Sequence, residues 1–291
     1  MSIKLHNPLY KKKDLSVFQK IKGEIKYISD FFQWNLIPYK EGEINEEKIA
    51  LESVKNNAFY LYKNFLNSNQ ISELKKKIYN NIKEANTHIR KEHLYRQRSA
   101  FSPDNIIFKD LVTKGFIVNF AKKFYSTNNI NFMKLTYELK KGLGEFNKEK
   151  VKNINEEYQY HTDRSIGCLK FCLLLDDIGE DNGPFCIIPK SHNWPKNVID
   201  FKYRTKTFFS NFDAPPMRTF HKKEMKNYFN VKDETLLTGK KGDLVIVNAA
   251  AYHKANNVKI GLKREVLWFY TIFPSSFESF TRKVASIIRK N

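Results

Sequence analysis

Residues 242–253 read GDLVIVNAAAYH, a run of apolar and β-branched residues opened by a glycine and an aspartate and closed by a histidine. A run of this kind predicts a strand, because branched side chains suit a pleated, covered surface and the flanking Gly and Asp form turns. Its odd positions, Asp243, Val245, Val247, Ala249, Ala251 and His253, share one face if the strand runs to its end. Ala249 and Ala251 are small for a core strand, so that face leaves room beside the His253 imidazole. The blander reading of His253 is a buried histidine bonded to backbone.

The stretches GCLKFCLLLDD (167–177), PFCIIPKSH (184–192) and REVLWFYTIF (264–273) have the same texture, each bounded by Gly, Pro, Asp or Asn. The first half is more helical. A short strand is expected at Ala58–Tyr62, then a helix capped by Ser68 or Asn69 with Ile71, Leu74, Ile78 and Ile82 on one face. A second helix is expected over Ile106–Phe124 and a strand over NFMKLTYELKKG (131–142). Short strands and turns after a helical first half predict an α+β chain with a mainly β core, an antiparallel sandwich or barrel with helices packed on one side. Residues 1–50 read as an extension packing on the domain formed by 51–291, and the long, basic, weakly periodic stretch 194–238 reads as a lid insertion.

At 291 residues the chain can bury a full core without staples. Its three cysteines, Cys168, Cys172 and Cys186, are an odd number within one apolar region, which points away from a disulfide framework and toward a reducing compartment, the cytoplasm. The first residues lack the apolar run of a secretory signal, and no run of eighteen apolar residues exists to span a membrane. The formal charge is +20, yet lysine makes up most of the 51 basic residues and is scattered along the chain. Readers of nucleic acid rely on arginine forks and recognisable modules, neither of which is evident, so no nucleic-acid partner is expected. The surplus favours an anionic small molecule.

The stretch YQYHTDRS (158–165) places His161 and Asp163 two positions apart, roughly 6–7 Å along one face of a strand. With seven histidines, an HxD pair arises by chance about one time in three, and a surface pair is its ordinary explanation. His253 changes the balance, because two histidines and one carboxylate form the facial triad that binds non-haem Fe(II) and leaves coordination positions open. Arg264 follows His253 by eleven residues across a turn-rich link, so the two strands are expected to be antiparallel neighbours. A guanidinium within an apolar barrel needs a carboxylate, which a 2-oxo diacid chelating the iron would supply. Zinc on the same ligands gives no use for the arginine.

Weaker candidates surround this set. Lys170 shares strand parity with Cys168 and Cys172 and could meet an anion, although desolvation favours an exposed lysine near the strand end. Arg96, Arg98, Arg218, His221 and Lys222 could line the cavity mouth, against the alternative of a solvated basic face. A CxxxC pair with one further cysteine makes a poor closed zinc site, and Ser191 and His192, being adjacent, read as turn residues.

The sequence resembles the phytanoyl-CoA dioxygenase-like branch of the Fe(II)/2-oxoglutarate oxygenases. YHTDRS resembles its HxD segment, LLLDDIGEDNGPFCIIPKSH its Asp-Asp, Asn-Gly-Pro and Pro-x-Ser-His run, and GDLVIVNAAAYHKANN with the following Lys-Arg its distal-histidine strand and arginine. The likeness spans roughly residues 53–273. It implies a double-stranded β-helix (a cupin-like jelly roll), Fe(II) on His161, Asp163 and His253, and 2-oxoglutarate held by Arg264. It further implies a dioxygenase that uses O2, releases succinate and CO2 and hydroxylates an unactivated carbon. The retained Asp163 favours hydroxylation over halogenation. Alternatives are desaturation, epimerisation or protein side-chain hydroxylation at the same iron, or a non-catalytic jelly-roll binder. Departures from the family pattern are Ala255 in place of a common serine, Lys190 in place of a common glycine, and Cys172 at a wall position where tryptophan is frequent.

Overall fold

The computed structural model describes residues 45–91, 94–102, 105, 115–128, 130–143, 160–163, 168–192 and 234–272. Helix α1, Glu46–Asn57, is capped by the Asn45 side chain, which accepts from the Lys48 backbone N–H at 3.0 Å. It ends at Ala58, whose φ of 74° turns the chain into strand β1, Phe59–Tyr62. This helix runs across the boundary expected at residue 51 and buries Ala50, Leu51 and Val54. Residues 1–44 lie outside the described residues.

Helix α2, Ser68–Asn81, is capped one residue earlier than the expected Ser68. Asn67 is the N-cap, because Gln70 three positions on returns its side chain to the Asn67 backbone and completes a capping box. Ile71, Leu74 and Ile78 form its buried face, and Ile82 opens a short 3-10 turn, half-buried. Strands β2 (Asn86–Lys91), β3 (Leu94–Phe101) and β4 (Asn131–Gly142) follow, with helix α3 at Phe116–Tyr125 between β3 and β4. The first part of the helix expected from Ile106 lies outside the described residues. The remaining strands are β5 (Leu169–Leu174), β6 (Phe185–Ile187), β7 (Thr235–Leu237), β8 (Leu244–Asn248), β9 (His253–Ala255) and β10 (Lys263–Ile272).

Two sheets result. Seven strands pair antiparallel in the order β1-β8-β5-β10-β4-β3-β2, and three in the order β7-β6-β9. Strand parity sorts the side chains between two layers. Leu169, Phe171 and Leu173 of β5, Leu244 and Ile246 of β8, and Leu267 and Phe269 of β10 pack with the buried faces of all three helices. The alternate residues Cys172, Leu174, Val245, Val247, Val266 and Trp268 face the smaller sheet and pack with Phe185, Ile187 and Leu237. Each such burial contributes about 1.5–3 kcal/mol, which explains why strands covered on both sides are apolar at nearly every position. The expected jelly-roll core with helices on one side is the observed architecture.

Three expectations are corrected. Strand β8 stops at Asn248, whose side chain accepts from the Ala250 N–H at 3.2 Å and turns the chain, so His253 opens β9 in the other sheet instead of closing β8. The strands of the distal histidine and the arginine are not neighbours. Strand β5 lies between β8 and β10, and β9 pairs with β6. Thr235–Leu237, expected within the lid, is strand β7 of the small sheet, and residues 194–233 lie outside the described residues. Among the described residues no helix is long and apolar enough to cross a membrane.

Candidate metal centre

His161 is stitched to His253 by a pair of backbone hydrogen bonds, His161 N–H to His253 O and His253 N–H to His161 O, both 2.9 Å. Two residues on, the Asp163 N–H donates to Ala249 O at 3.0 Å. The turn after β8 and the start of β9 thus act as a template that lays the HxD segment alongside the distal histidine, ninety residues away in sequence. The imidazole centroids are 4.4 Å apart, and Phe185 stacks on His253 at 4.8 Å. Asp163 Oδ1 lies 3.6 Å from His161 Nε2 and 3.5 Å from His253 Nε2, and one ligand atom from each residue falls within 4.8 Å of the others.

The protonation states suit a cation. His253 Nδ1 donates to Ala251 O at 2.8 Å, which fixes the tautomer and leaves Nε2 as the lone pair facing the centre. Burial, then the nearby Lys170 charge, lower the His253 pKa, so the ring is neutral at physiological pH. Burial would raise the Asp163 carboxyl, but Lys170, His253 and His161 outweigh it and hold the group well below the usual carboxylate range. Two imidazoles and one carboxylate, gathered at the edge of an apolar interior, fit Fe(II).

Deeper between the sheets lies a second charged group. Glu138 on β4 is 2% exposed and is bonded by Arg96 through Nε at 3.0 Å and Nη2 at 2.7 Å. Arg264 Nη2 bonds its other oxygen, while Arg98 and Lys140 approach to 3.4 and 3.9 Å. Burial would raise this carboxyl, but Lys140, Arg96, Arg264 and Arg98 together hold it well below the usual range. Arg264 Nη1 also donates to Gly183 O at 2.5 Å, and its Nε is buried with no hydrogen-bond partner.

Residues 59–259 match the family model described as phytanoyl-CoA dioxygenase, more than half of the chain. The chain belongs to this family. It is accordingly an Fe(II)- and 2-oxoglutarate-dependent enzyme that consumes dioxygen, and the residues gathered here are of the kind such chemistry requires. Similar solved structures include the epimerase SnoN in complex with Fe3+, alpha-ketoglutarate and nogalamycin RO (14% identity, TM-score 0.55), covering 78% of this chain and 83% of that one. HygX from Streptomyces hygroscopicus, with nickel and 2-oxoglutarate bound, aligns at 11% identity and TM-score 0.52 over 79% of this chain and 87% of its own. EctD from S. alaskensis aligns at 12% identity and TM-score 0.55 over 81% of this chain and 82% of its own. At these identities the likeness carries the fold. No curated protein sequence matches the chain.

Among the residues singled out from sequence, His161, Asp163 and His253 come together, and Arg264 lies in the interior with its own carboxylate partner. That partner, Glu138, was missed, although its parity with Lys140 in an alternating strand marks both as facing one way. Lys170, expected to be solvent-exposed, is instead buried at 7% exposure, because Asp163 compensates the desolvation of its ammonium. Cys172 lies in the inner wall opposite Trp268 in the β5–β10 register, so a neighbouring strand supplies the indole, and burial pushes its thiol pKa up. Arg96 and Arg98 belong to the Glu138 cluster, and Arg218, His221 and Lys222 lie outside the described residues. Ser191 and His192 are turn residues, the serine hydroxyl bridging Ile188 O and the Tyr252 N–H. Lys190 has φ 62°, the left-handed region that favours glycine.

Proposed function

We propose that His161, Asp163 and His253 hold the iron, that Arg264 grips the far carboxylate of 2-oxoglutarate, and that the enzyme hydroxylates an unactivated carbon of a small anionic molecule. The observation that carries this reading is the convergence of the three ligand atoms within 4.8 Å, in a fold whose interior also holds the buried Arg264 guanidinium. When bound, iron with 2-oxoglutarate and dioxygen supplies an oxidant strong enough to cleave a C–H bond, with succinate and CO2 as by-products.

The chain's own residues do the remaining work. His253 is held in one tautomer by Ala251 O, and Phe185 covers its face, so its lone pair stays aimed and shielded from water. Arg264 retains a buried, unbonded Nε, a donor that a carboxylate could take. The +20 formal charge supports an anionic substrate. Cys168, Cys172 and Cys186 are buried and outside any disulfide, which agrees with a cytoplasmic enzyme. The catalytic domain is taken to begin with α1.

Succinate formation under Fe(II), 2-oxoglutarate and O2 with a panel of small carboxylates, sugar acids, phosphate esters and acyl thioesters tests this. A product heavier by one oxygen atom identifies hydroxylation. A product two hydrogens lighter, or one of unchanged mass, overturns it in favour of desaturation or epimerisation. No succinate above background with any substrate contradicts turnover.

A further inference from the structure

Strand β5 carries one charged side chain, Lys170, on the same face as Cys172 and Leu174, and its ammonium reaches the iron-ligand cluster. Nζ bonds Asp163 Oδ2 and lies 3.3 Å from His253 Nε2. The rings of Tyr270 and Phe185 flank it at 5.3 and 5.8 Å. Asp163 therefore divides its oxygens, with Oδ1 toward the two imidazoles and Oδ2 on the ammonium. Because His253 Nδ1 is committed to Ala251 O, the Lys170 N–H meets the same Nε2 lone pair that a metal would use. The ammonium shares two of the three ligand groups.

A dication and an ammonium placed against one carboxylate leave a surplus of positive charge in a covered site, and aromatic faces offset only a small part of it. An incoming carboxylate within reach of both cations removes the conflict. We propose that Lys170 is an anion-binding residue of this centre. Its ammonium opposes metal binding alone and receives the carboxylate that enters beside the metal, so metal and 2-oxo acid bind cooperatively. This rests on the assignment of His161, Asp163 and His253 as the metal ligands.

The test is calorimetric titration of full-length, chelator-treated protein with Mn(II), followed by titration of the Mn(II)-loaded protein with 2-oxoglutarate or pyruvate, all without turnover. Pyruvate has the metal-side carboxylate and lacks the far one, so it separates Lys170 from Arg264. Lys170→Met keeps the apolar stem and removes the charge. It is expected to bind Mn(II) about tenfold tighter than wild type and to bind both 2-oxo acids about tenfold more weakly. Arg264→Met is expected to weaken 2-oxoglutarate and leave pyruvate unchanged. Lys170→Gln gives the same readings if the methionine variant is poorly folded by circular dichroism. Unchanged or weaker Mn(II) binding in both Lys170 variants means that the lysine only orients Asp163 and overturns the proposal, as does unchanged pyruvate affinity. Wild-type protein that binds no Mn(II) rejects the ligand assignment itself.

Discussion

Arg264 on β10 and Glu138 on β4 form a buried ion pair, 4% and 2% exposed at their side chains. The arginine, read from sequence as needing an external diacid, already has an internal carboxylate. That carboxylate is shared with Arg96, Arg98 and Lys140.

Replacing Glu138 by Gln removes the carboxylate that Arg96, Arg98, Lys140 and Arg264 share. Removing one partner of a buried charge cluster costs about 3–5 kcal/mol, and urea denaturation is expected to show a loss of that order. Folding lowers the proton affinity of Glu138, so its contribution is complete above the ordinary value of 4.5 and fades as pH falls below it. Wild-type stability should therefore drop more steeply than that of Glu138→Gln below about pH 4.5. Parallel pH profiles of the two proteins would contradict the assignment.

Gly183 presents its carbonyl to Arg264 and has φ 71°, and a Cβ there would lie 2.7 Å from Asn256 O. Gly183→Ala combines a left-handed backbone with a backbone clash. We expect a loss of about 1–3 kcal/mol in stability and a rise in the Kd for 2-oxoglutarate as the Arg264 anchor shifts. Calorimetry on the metal-loaded variant checks the second effect.

The strands were legible because alternation and apolar runs survive in β4, β5, β8 and β10, where both faces are covered. The convergence of His161, Asp163 and His253 was legible because the HxD spacing and the distal histidine lie within bounded strand-like stretches of sequence. Strand neighbours were not legible, since a turn-rich link between His253 and Arg264 looks the same whether the strands pair directly or flank β5. The Asn248 turn that moves His253 into the second sheet depends on one side-chain hydrogen bond, and poly-alanine gives no mark of it. The Lys170 position depends on Asp163, which lies in a different segment, so strand parity alone could not weigh desolvation against that pairing.

On the helix side of the large sheet, Lys75 of α2 reaches Glu265 at 2.7 Å and Asp176 at 2.9 Å, and Tyr79 and Tyr137 donate to the same glutamate. Burial and then the Glu265 hydrogen bond raise the Tyr79 pKa to about 12. Lys75→Met should cost about 2 kcal/mol, less than a full buried-pair loss because the lysine is 19% exposed. A midpoint in urea unchanged from wild type would show that α2 docks through Ile71, Leu74 and Ile78 alone.

Lys190 occupies the left-handed region at the turn before Ser191. Lys190→Gly is expected to raise stability by about 0.5–1 kcal/mol, the relief of the Cβ strain exceeding the added freedom of the unfolded chain. Thermal denaturation measures it, and a lowered midpoint would mean that the lysine side chain contributes contacts outweighing the strain.

Iron stoichiometry tests the centre most directly. Anaerobically reconstituted wild type should retain one Fe(II) per chain after gel filtration. His161→Ala, with an unchanged circular dichroism spectrum, should retain almost none and form no succinate. A folded His161→Ala protein that holds a full equivalent of iron and still turns over 2-oxoglutarate would contradict a metal centre built on His161, Asp163 and His253.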